Sequence, residues 1–118
     1  MPGEEQVGRV LVVSPAVTVR SEADGVCVVA CRGEFDQDTV GALIDACDGE
    51  ASGARLLVVD VAGVSFADSS FLSALIRLRN TRRMVLAGPV PDQLHRLLEL
   101  TGTLALFDFR EDDGAQAD

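Results

Sequence analysis

Residues 58–72 read VVDVAGVSFADSSFL, and this stretch decides the fold that we predict for the chain. Residues 56–59 are all Leu or Val and lie between Arg55 and Asp60. Such a continuous apolar run, bounded by charged residues, is typical of a central strand buried on both faces. After a short connection, Asp68-Ser69-Ser70 introduces apolar residues at helical spacing. The stretch therefore predicts a strand, a connection and a helix whose first turn carries two hydroxyls beside a carboxylate.

The predicted start of this helix is a good place for a phosphate group. Backbone N–H groups of a first turn lack helical partners, and the helix dipole is positive there. Ser69 and Ser70 are therefore candidates for a phosphorylation switch. Asp68 is expected to cap the helix, which is worth about 1 kcal/mol whether or not phosphate ever arrives. Because most Asp-Ser-Ser triplets only cap helices, the triplet alone is weak evidence for regulation.

The remainder of the chain alternates strand and helix patterns. Ala23-Asp24-Gly25 separates two β-rich runs and is a hairpin signal. Strands are expected at 16–20, 26–31, 56–59, 84–87 and 104–109, and helices at about 40–47, 69–78 and 91–101. Strands that alternate with helices after an initial hairpin predict an α/β domain with a mixed sheet.

Three sequence blocks resemble STAS-domain anti-sigma factor antagonists of bacterial partner-switching systems. Residues 60–62 and 68–73 read DVA and DSSFLS, where the family has Asp-Leu-Ser and Asp-Ser-Ser-Gly-Leu-Gly. Residues 33–36 read GEFD, which is similar to the family block Gly-Glu-Leu-Asp. The third block, residues 84–102, is an apolar strand ending in Gly-Pro, a Leu-rich helix and Thr-Gly. The blocks occur in family order at family-like spacing and cover about residues 16–110.

The resemblance implies a fold and a division of the chain. The fold is a STAS-like mixed β-sheet with helices packed mainly on one face. Residues 15–110 would form the STAS domain, and residues 111–118 an acidic C-terminal tail. Residues 1–14 would be an N-terminal extension, which is either poorly ordered or an additional edge segment of the sheet.

The resemblance also implies a function and a set of site residues. Members of the family bind an anti-sigma factor serine kinase and free the sigma factor until the kinase phosphorylates a serine, which corresponds to Ser69 here. Ser70 is the second choice. The kinase supplies ATP and magnesium, and a serine phosphatase resets the cycle. The expected partner-binding surface comprises Asp36, Asp68, Ser69, Ser70 and Phe71, and Asp36 is also expected to cap the following helix. The chain itself would carry no catalytic site, cofactor or metal.

Phe71 departs from the family pattern, which has glycine at this position. We predict that Phe71 projects beside the phosphorylation site and contributes to partner specificity. The alternative is that it packs inward with Ala74, Leu75 and Leu78, which lie three, four and seven residues further along the helix.

Composition narrows the classes of function. The formal net charge of −9 and the pI near 4.4 disfavour nucleic acid as a partner, because binding phosphate backbones needs clustered cations. No apolar run reaches the ~18 residues that span a bilayer, and no signal peptide is recognisable, so we expect a cytoplasmic protein without membrane contact. The three cysteines, Cys27, Cys31 and Cys47, are expected to be reduced thiols.

Two alternatives to the phosphorylation switch remain at this point. The first is a STAS-type scaffold or sensor module that binds proteins without being phosphorylated. The second is a small hydrolase that uses Ser69 or a thiol as nucleophile. The chain has a single histidine, His95, and no Gly-x-Ser-x-Gly or Walker motif, so the hydrolase has no distinctive motif support.

Overall fold

The computed structural model describes residues 10–110, which contain six strands and three α-helices. The strands are β1 (Val10–Ser14), β2 (Val17–Glu22), β3 (Val26–Phe35), β4 (Leu56–Ala67), β5 (Met84–Ala87) and β6 (Phe109–Arg110). The α-helices are α1 (Val40–Asp48), α2 (Ser69–Thr81) and α3 (Asp92–Leu100). Short 3₁₀ turns lie at Ala23–Gly25 and Leu104–Leu106.

The six strands form one sheet in which spatial order follows chain order, β1-β2-β3-β4-β5-β6. The pairs β1–β2 and β2–β3 are antiparallel, and the three later pairs are parallel. The predicted hairpin joins β2 to β3, and Asp24 and Gly25 there adopt φ values of 64° and 77°. Asp and Gly are among the residues that tolerate this left-handed conformation. The predicted mixed sheet is thus confirmed.

The three helices contribute to a single core on one face of the sheet, as predicted. Buried side chains from α1, α2 and α3 join buried positions of β2 to β5 in one apolar cluster. The opposite face holds a smaller cluster of Val28, Val58 and Ala87. Register places Glu22 beside Val26 and Arg110 beside Ala87 on that second face, where Arg110 Nη1 donates to Glu22 Oε1 at 2.9 Å. Charged side chains therefore meet over the face that the helices leave open.

The predicted strand at 104–109 is wrong for most of its length. Residues Leu104–Leu106 form a 3₁₀ turn, and only Phe109–Arg110 pairs with β5. The carbonyl of Leu106 accepts a hydrogen bond from Arg79 Nε at 2.7 Å instead of joining a ladder. Phe107 is buried and fills the core from this turn. An apolar run can therefore pack into a core without forming a strand. Here a turn held by local hydrogen bonds places Phe107 in the core.

At the other end of the chain, Val10–Ser14 pairs with β2 as an edge strand. The N-terminal extension was expected to be either poorly ordered or an additional edge segment of the sheet, and Val10–Ser14 form such an edge segment. Residues 1–9 and 111–118 lie outside the described range, so the rest of the predicted extension, the acidic tail and the domain boundaries stay predictions.

The strand β4 extends well beyond β5. It has 12 residues, whereas the 4 residues of β5 pair only with Leu57 to Asp60. The chain leaving β5 turns at Gly88, which has φ +100° and lies so close to β4 that a Cβ atom there would be 2.7 Å from Ala62 Cβ. Glycine is required at this turn for both reasons. The part of β4 beyond the turn leads directly to α2.

Candidate functional site

The helix α2 begins at Ser69 and is capped by Asp68, as predicted. The Oδ1 atom of Asp68 accepts hydrogen bonds from the backbone N–H of Ser70 at 2.8 Å and of Phe71 at 3.4 Å. The Asp68 backbone is extended, and its carbonyl accepts from Leu72 N–H at 3.2 Å. These are the contacts of an N-cap residue, which satisfies N–H groups that have no partner within the helix.

The two serines of the predicted site differ in accessibility. Ser69 is exposed at the first position of α2, whereas Ser70 is half-buried. The first turn of α2 carries no acidic side chain of its own, and the Asp68 cap complements the positive end of the helix dipole. The Ser69 side chain is therefore more accessible from solvent than that of Ser70.

The parallel pairing of β3 with β4 brings Asp36 to the same edge of the sheet as this helix start. Phe35 and Ala67 are register partners, and Asp68 N–H donates to the Phe35 carbonyl at 3.2 Å. The next residues, Asp36 and Asp68, thus leave adjacent strand ends side by side. Strand register thus brings Asp36 and Asp68, which are distant in sequence, to the same edge of the sheet.

The Asp36 side chain binds the turn before α1 and does not cap α1 itself, whose N-cap residue is Thr39. Its Oδ1 atom accepts from the backbone N–H of Asp38 at 2.9 Å and of Thr39 at 3.1 Å, and from the Thr39 hydroxyl at 3.1 Å. The Asp36 carbonyl accepts from Val40 N–H at 2.9 Å, where α1 begins. Asp36 therefore fixes the turn that leads into α1, while its proximity to a partner protein stays a prediction.

The prediction that Phe71 projects toward a partner is wrong. Its side chain is fully buried, and its ring centroid lies 5.0 Å from that of Phe35, with an angle of 43° between the rings. Ala74, Leu75 and Leu78 on the same face of α2 are buried as well. The alternative of inward packing is correct because position 71 continues the stripe of α2 that faces the sheet.

Phe66 is an exposed aromatic near this edge that sequence reasoning missed. It is 44% exposed and pairs in register with Glu34. Its neighbour Ala67 is buried in the helix-side core, so Phe66 points to the opposite face of the strand. No regular period signals this exposure, because the register of β4 with β3 shifts and its buried positions here are Val61, Val64 and Ala67. Phe66 is an exposed aromatic side chain three residues before Ser69 that a partner could contact.

Gln93 is a second residue that sequence reasoning missed. Its Oε1 atom accepts from Ala67 N–H, and its Nε2 atom donates to the Ala67 carbonyl, both at 2.8 Å. Gln93 lies in the first turn of α3, 26 residues beyond Ala67. No periodicity in the sequence indicates such a contact. The residue before the Asp68 cap is thus tied to α3 by two side-chain hydrogen bonds.

Two of the three thiols, those of Cys31 and Cys47, are poorly suited to nucleophilic chemistry. Burial raises the pKa of the Cys31 thiol far above its ordinary value, and burial raises the pKa of Cys47 to about 11. Both are therefore protonated at neutral pH, and the thiolate is the nucleophilic form. Cys27, Cys31 and Cys47 are all free cysteines. His95 lies on α3, with its Nδ1 atom 3.5 Å from Glu99 Oε1.

Metal sites and membrane spans are two further kinds of feature to consider within residues 10–110. No group of three or more His, Cys, Asp or Glu side chains there is arranged to hold a metal ion. No helix in the same range combines the length and apolar character that a membrane span requires.

Comparison with known proteins relates this geometry to a family and to solved structures. The family model described as Mlab, STAS domain, matches residues 18–106. An anti-sigma factor antagonist from Mycobacterium paratuberculosis is similar, with 29% identity and a TM-score of 0.68 over 82% of this chain and 86% of that one. The anti-sigma factor antagonist SpoIIAA in its unphosphorylated form has 19% identity and a TM-score of 0.63 over 82% and 90%.

The phosphorylated form of the Bacillus cell fate determinant SpoIIAA is similar in fold as well. It has 16% identity and a TM-score of 0.54, and the match covers 82% of this chain and 93% of that one. Among curated proteins, no sequence matches significantly.

Proposed function

Because this chain belongs to the STAS domain family, we propose that it is an anti-sigma factor antagonist whose binding to an anti-sigma factor serine kinase ends when Ser69 is phosphorylated. The similarity to antagonists, including the mycobacterial protein at 29% identity, supports the general role. The observation that carries the phosphorylation step is the exposed Ser69 at the first position of a helix capped by Asp68.

The site explains how phosphate would act without unfolding the domain. A phosphoserine adds about −1.5 to −2 charges and three strong acceptor oxygens at pH 7. The positive end of α2 favours that charge, while the carboxylates of Asp68 and Asp36 at the same edge oppose it. The helix is also held by the buried side chain of Phe71. The added charge would then act mainly on a partner, which must desolvate or repel it.

In this proposal the chain supplies a hydroxyl and a surface, and the partner supplies the catalysis. The kinase brings ATP and magnesium, and a separate serine phosphatase restores the hydroxyl. Both reactions take place in the cytoplasm, where ATP is available. The acidic turn at Asp36 lies at the same edge as the start of α2 and would extend the partner surface, and the exposed Phe66 offers a further apolar contact on the opposite face of β4.

The test compares Ser69→Ala, Ser70→Ala and the wild type with the cognate kinase and ATP, followed by phosphopeptide mapping. We expect phosphate on Ser69 in the wild type and in Ser70→Ala, and its loss in Ser69→Ala. Phosphate predominantly on Ser70 would overturn the assignment. A chain that binds the anti-sigma factor but accepts no phosphate would instead be the scaffold or sensor module.

The substitution Ser69→Asp tests the switch itself. A carboxylate in the first turn stabilises a helix by about 0.3–1 kcal/mol, so thermal stability should hold or rise slightly. Affinity for the anti-sigma factor, measured by titration calorimetry, should fall. Ser69→Asn is the matched control because it has the size of aspartate at the same position and adds no charge. Equal affinity of the wild type and Ser69→Asp would contradict the switch.

A further inference from the structure

The end of β4 lacks a neighbouring strand on one side. β5 pairs with β4 only as far as Asp60, and beyond that point the described ladder joins β4 to β3 alone. Asp68 N–H points to β3, where it meets the Phe35 carbonyl. In a parallel ladder the alternate residue points the other way, so the N–H and C=O of Ala67 face away from β3.

These backbone groups of Ala67 need partners because the residue is buried, with only 1% of its surface exposed. Buried backbone N–H and C=O groups are costly when they are left unpaired. The Gln93 amide meets both groups at 2.8 Å, with a donor and an acceptor side by side. The Gln93 side chain thus makes the two hydrogen bonds with Ala67 that a further strand would have made.

We propose that Gln93 is a positioning residue for Ser69. This inference rests on the proposed function in one respect, since the orientation of Ser69 matters only if Ser69 accepts phosphate. The two hydrogen bonds fix the peptide groups on either side of Ala67. Asp68 follows directly, and its carboxylate holds the N–H groups of Ser70 and Phe71. Ser69 lies between the fixed cap and the first helical amides, so its orientation depends on Gln93.

The anchor for this contact is rigid. Leu94 and Leu98 of α3 are fully buried in the main core, and Gln93 immediately precedes Leu94. Among common side chains of this size, only a primary amide both donates and accepts in the required pair. A carboxylate at position 93 would accept from Ala67 N–H but face the Ala67 carbonyl with a second acceptor. A leucine would offer neither hydrogen bond.

The experiment measures amide hydrogen exchange by NMR in the wild type, Gln93→Leu and Gln93→Glu. We expect the amides of Ser70 and Phe71, which Gln93 does not touch, to exchange about tenfold faster in both variants, since a net loss of one or two hydrogen bonds is of that order. Val19→Ala is the control, because it destabilises the distant strand β2. In this variant the exchange rates of the two amides should change no more than the lowered free energy of global unfolding requires. Unchanged exchange at Ser70 and Phe71 in both variants would overturn the proposal.

A second measurement concerns phosphate transfer to Ser69. With the cognate kinase, Gln93→Leu and Gln93→Glu should lower kcat several-fold and leave KM for the chain nearly constant, because the outer docking surface is intact. An unchanged kcat, together with faster exchange, would show that the contact is only structural. If the wild type itself accepts no phosphate, the proposed function fails, and the exchange data still decide whether Gln93 orders the start of α2.

Discussion

Replacing Phe71 by alanine tests whether this residue belongs to the core. The side chain is fully buried and packs against Phe35, with ring centroids 5.0 Å apart. If the packing is as described, the substitution removes a large apolar group and leaves a cavity between α2 and the end of β3. The expected result is a less stable domain that keeps its exposed partner surface.

The magnitude follows from comparable substitutions. Truncation of a buried phenylalanine to alanine costs about 3–5 kcal/mol. A domain of this size is stable by roughly 5–15 kcal/mol, so the loss is a large fraction of the total. Because each kcal/mol corresponds to about 4 °C, the melting temperature should fall by roughly 12–20 °C. A double-mutant cycle with Phe35→Leu should give a coupling of about 0.5–1.5 kcal/mol for the ring pair.

The assay is urea denaturation followed by circular dichroism. A lower midpoint with an unchanged slope reports lost stability rather than a change in the unfolded state. Phe66→Ala is the matched control because it truncates the same residue type five positions earlier, where the side chain is 44% exposed. That control should cost less than about 1 kcal/mol. If Phe71→Ala proves no more damaging than Phe66→Ala, the core assignment and the packing of α2 are refuted.

Three further predictions concern single residues. Asp68→Ala should lower the free energy of unfolding by about 1 kcal/mol, measured by urea denaturation, whereas Asp68→Asn should retain most of the cap. Gly88→Ala should destabilise the domain by at least ~1 kcal/mol, because the methyl group meets Ala62 and the positive φ is strained; a melting temperature equal to the wild type would contradict the close approach. Hydrogen bonds from Arg110 and then Arg20 lower the pKa of Glu22 below its ordinary 4.5. Its stabilising contribution should be fully present above pH 4.5 and disappear as the pH falls through the lowered value. Unfolding curves at several pH values should show Glu22→Gln less stable than the wild type at pH 7, with the difference shrinking in acid, and a difference independent of pH would argue against the ion pair.

Much of the fold was predictable because its signals are local. The apolar run at 56–59 predicts a buried strand by itself. The helix cap at Asp68 is predictable as well, because it needs only the Asp68 side chain and the backbone amides of the next residues. The parallel register of β3 and β4 then places Asp36 beside this cap, which no local pattern could supply. The family blocks supplied that information instead, since they associate the two segments.

The errors arose where a choice depends on tertiary contacts. The sequence around Phe71 allowed an inward or an outward ring, and the Phe35 side chain that receives it comes from another strand. The run at 104–109 is apolar enough for a strand, but Arg79 binds the Leu106 carbonyl and Phe107 is buried in the core, so only the last two residues of β5 pair with β6. Gln93 gave no signal, because a polar residue in the first turn of a helix normally faces solvent.

The agreement between spatial and chain order in the sheet bears on the synthesis of the protein. Each strand can add to one that has already left the ribosome, since none must wait for a later segment to separate it from its neighbour. The nascent chain would therefore contain β3, β4 and the whole of α2 before Gln93 emerges. Until then Ser69 would be present without the amide that holds Ala67. Under the proposed function, we expect such an incomplete chain to accept phosphate several-fold more slowly than the finished molecule.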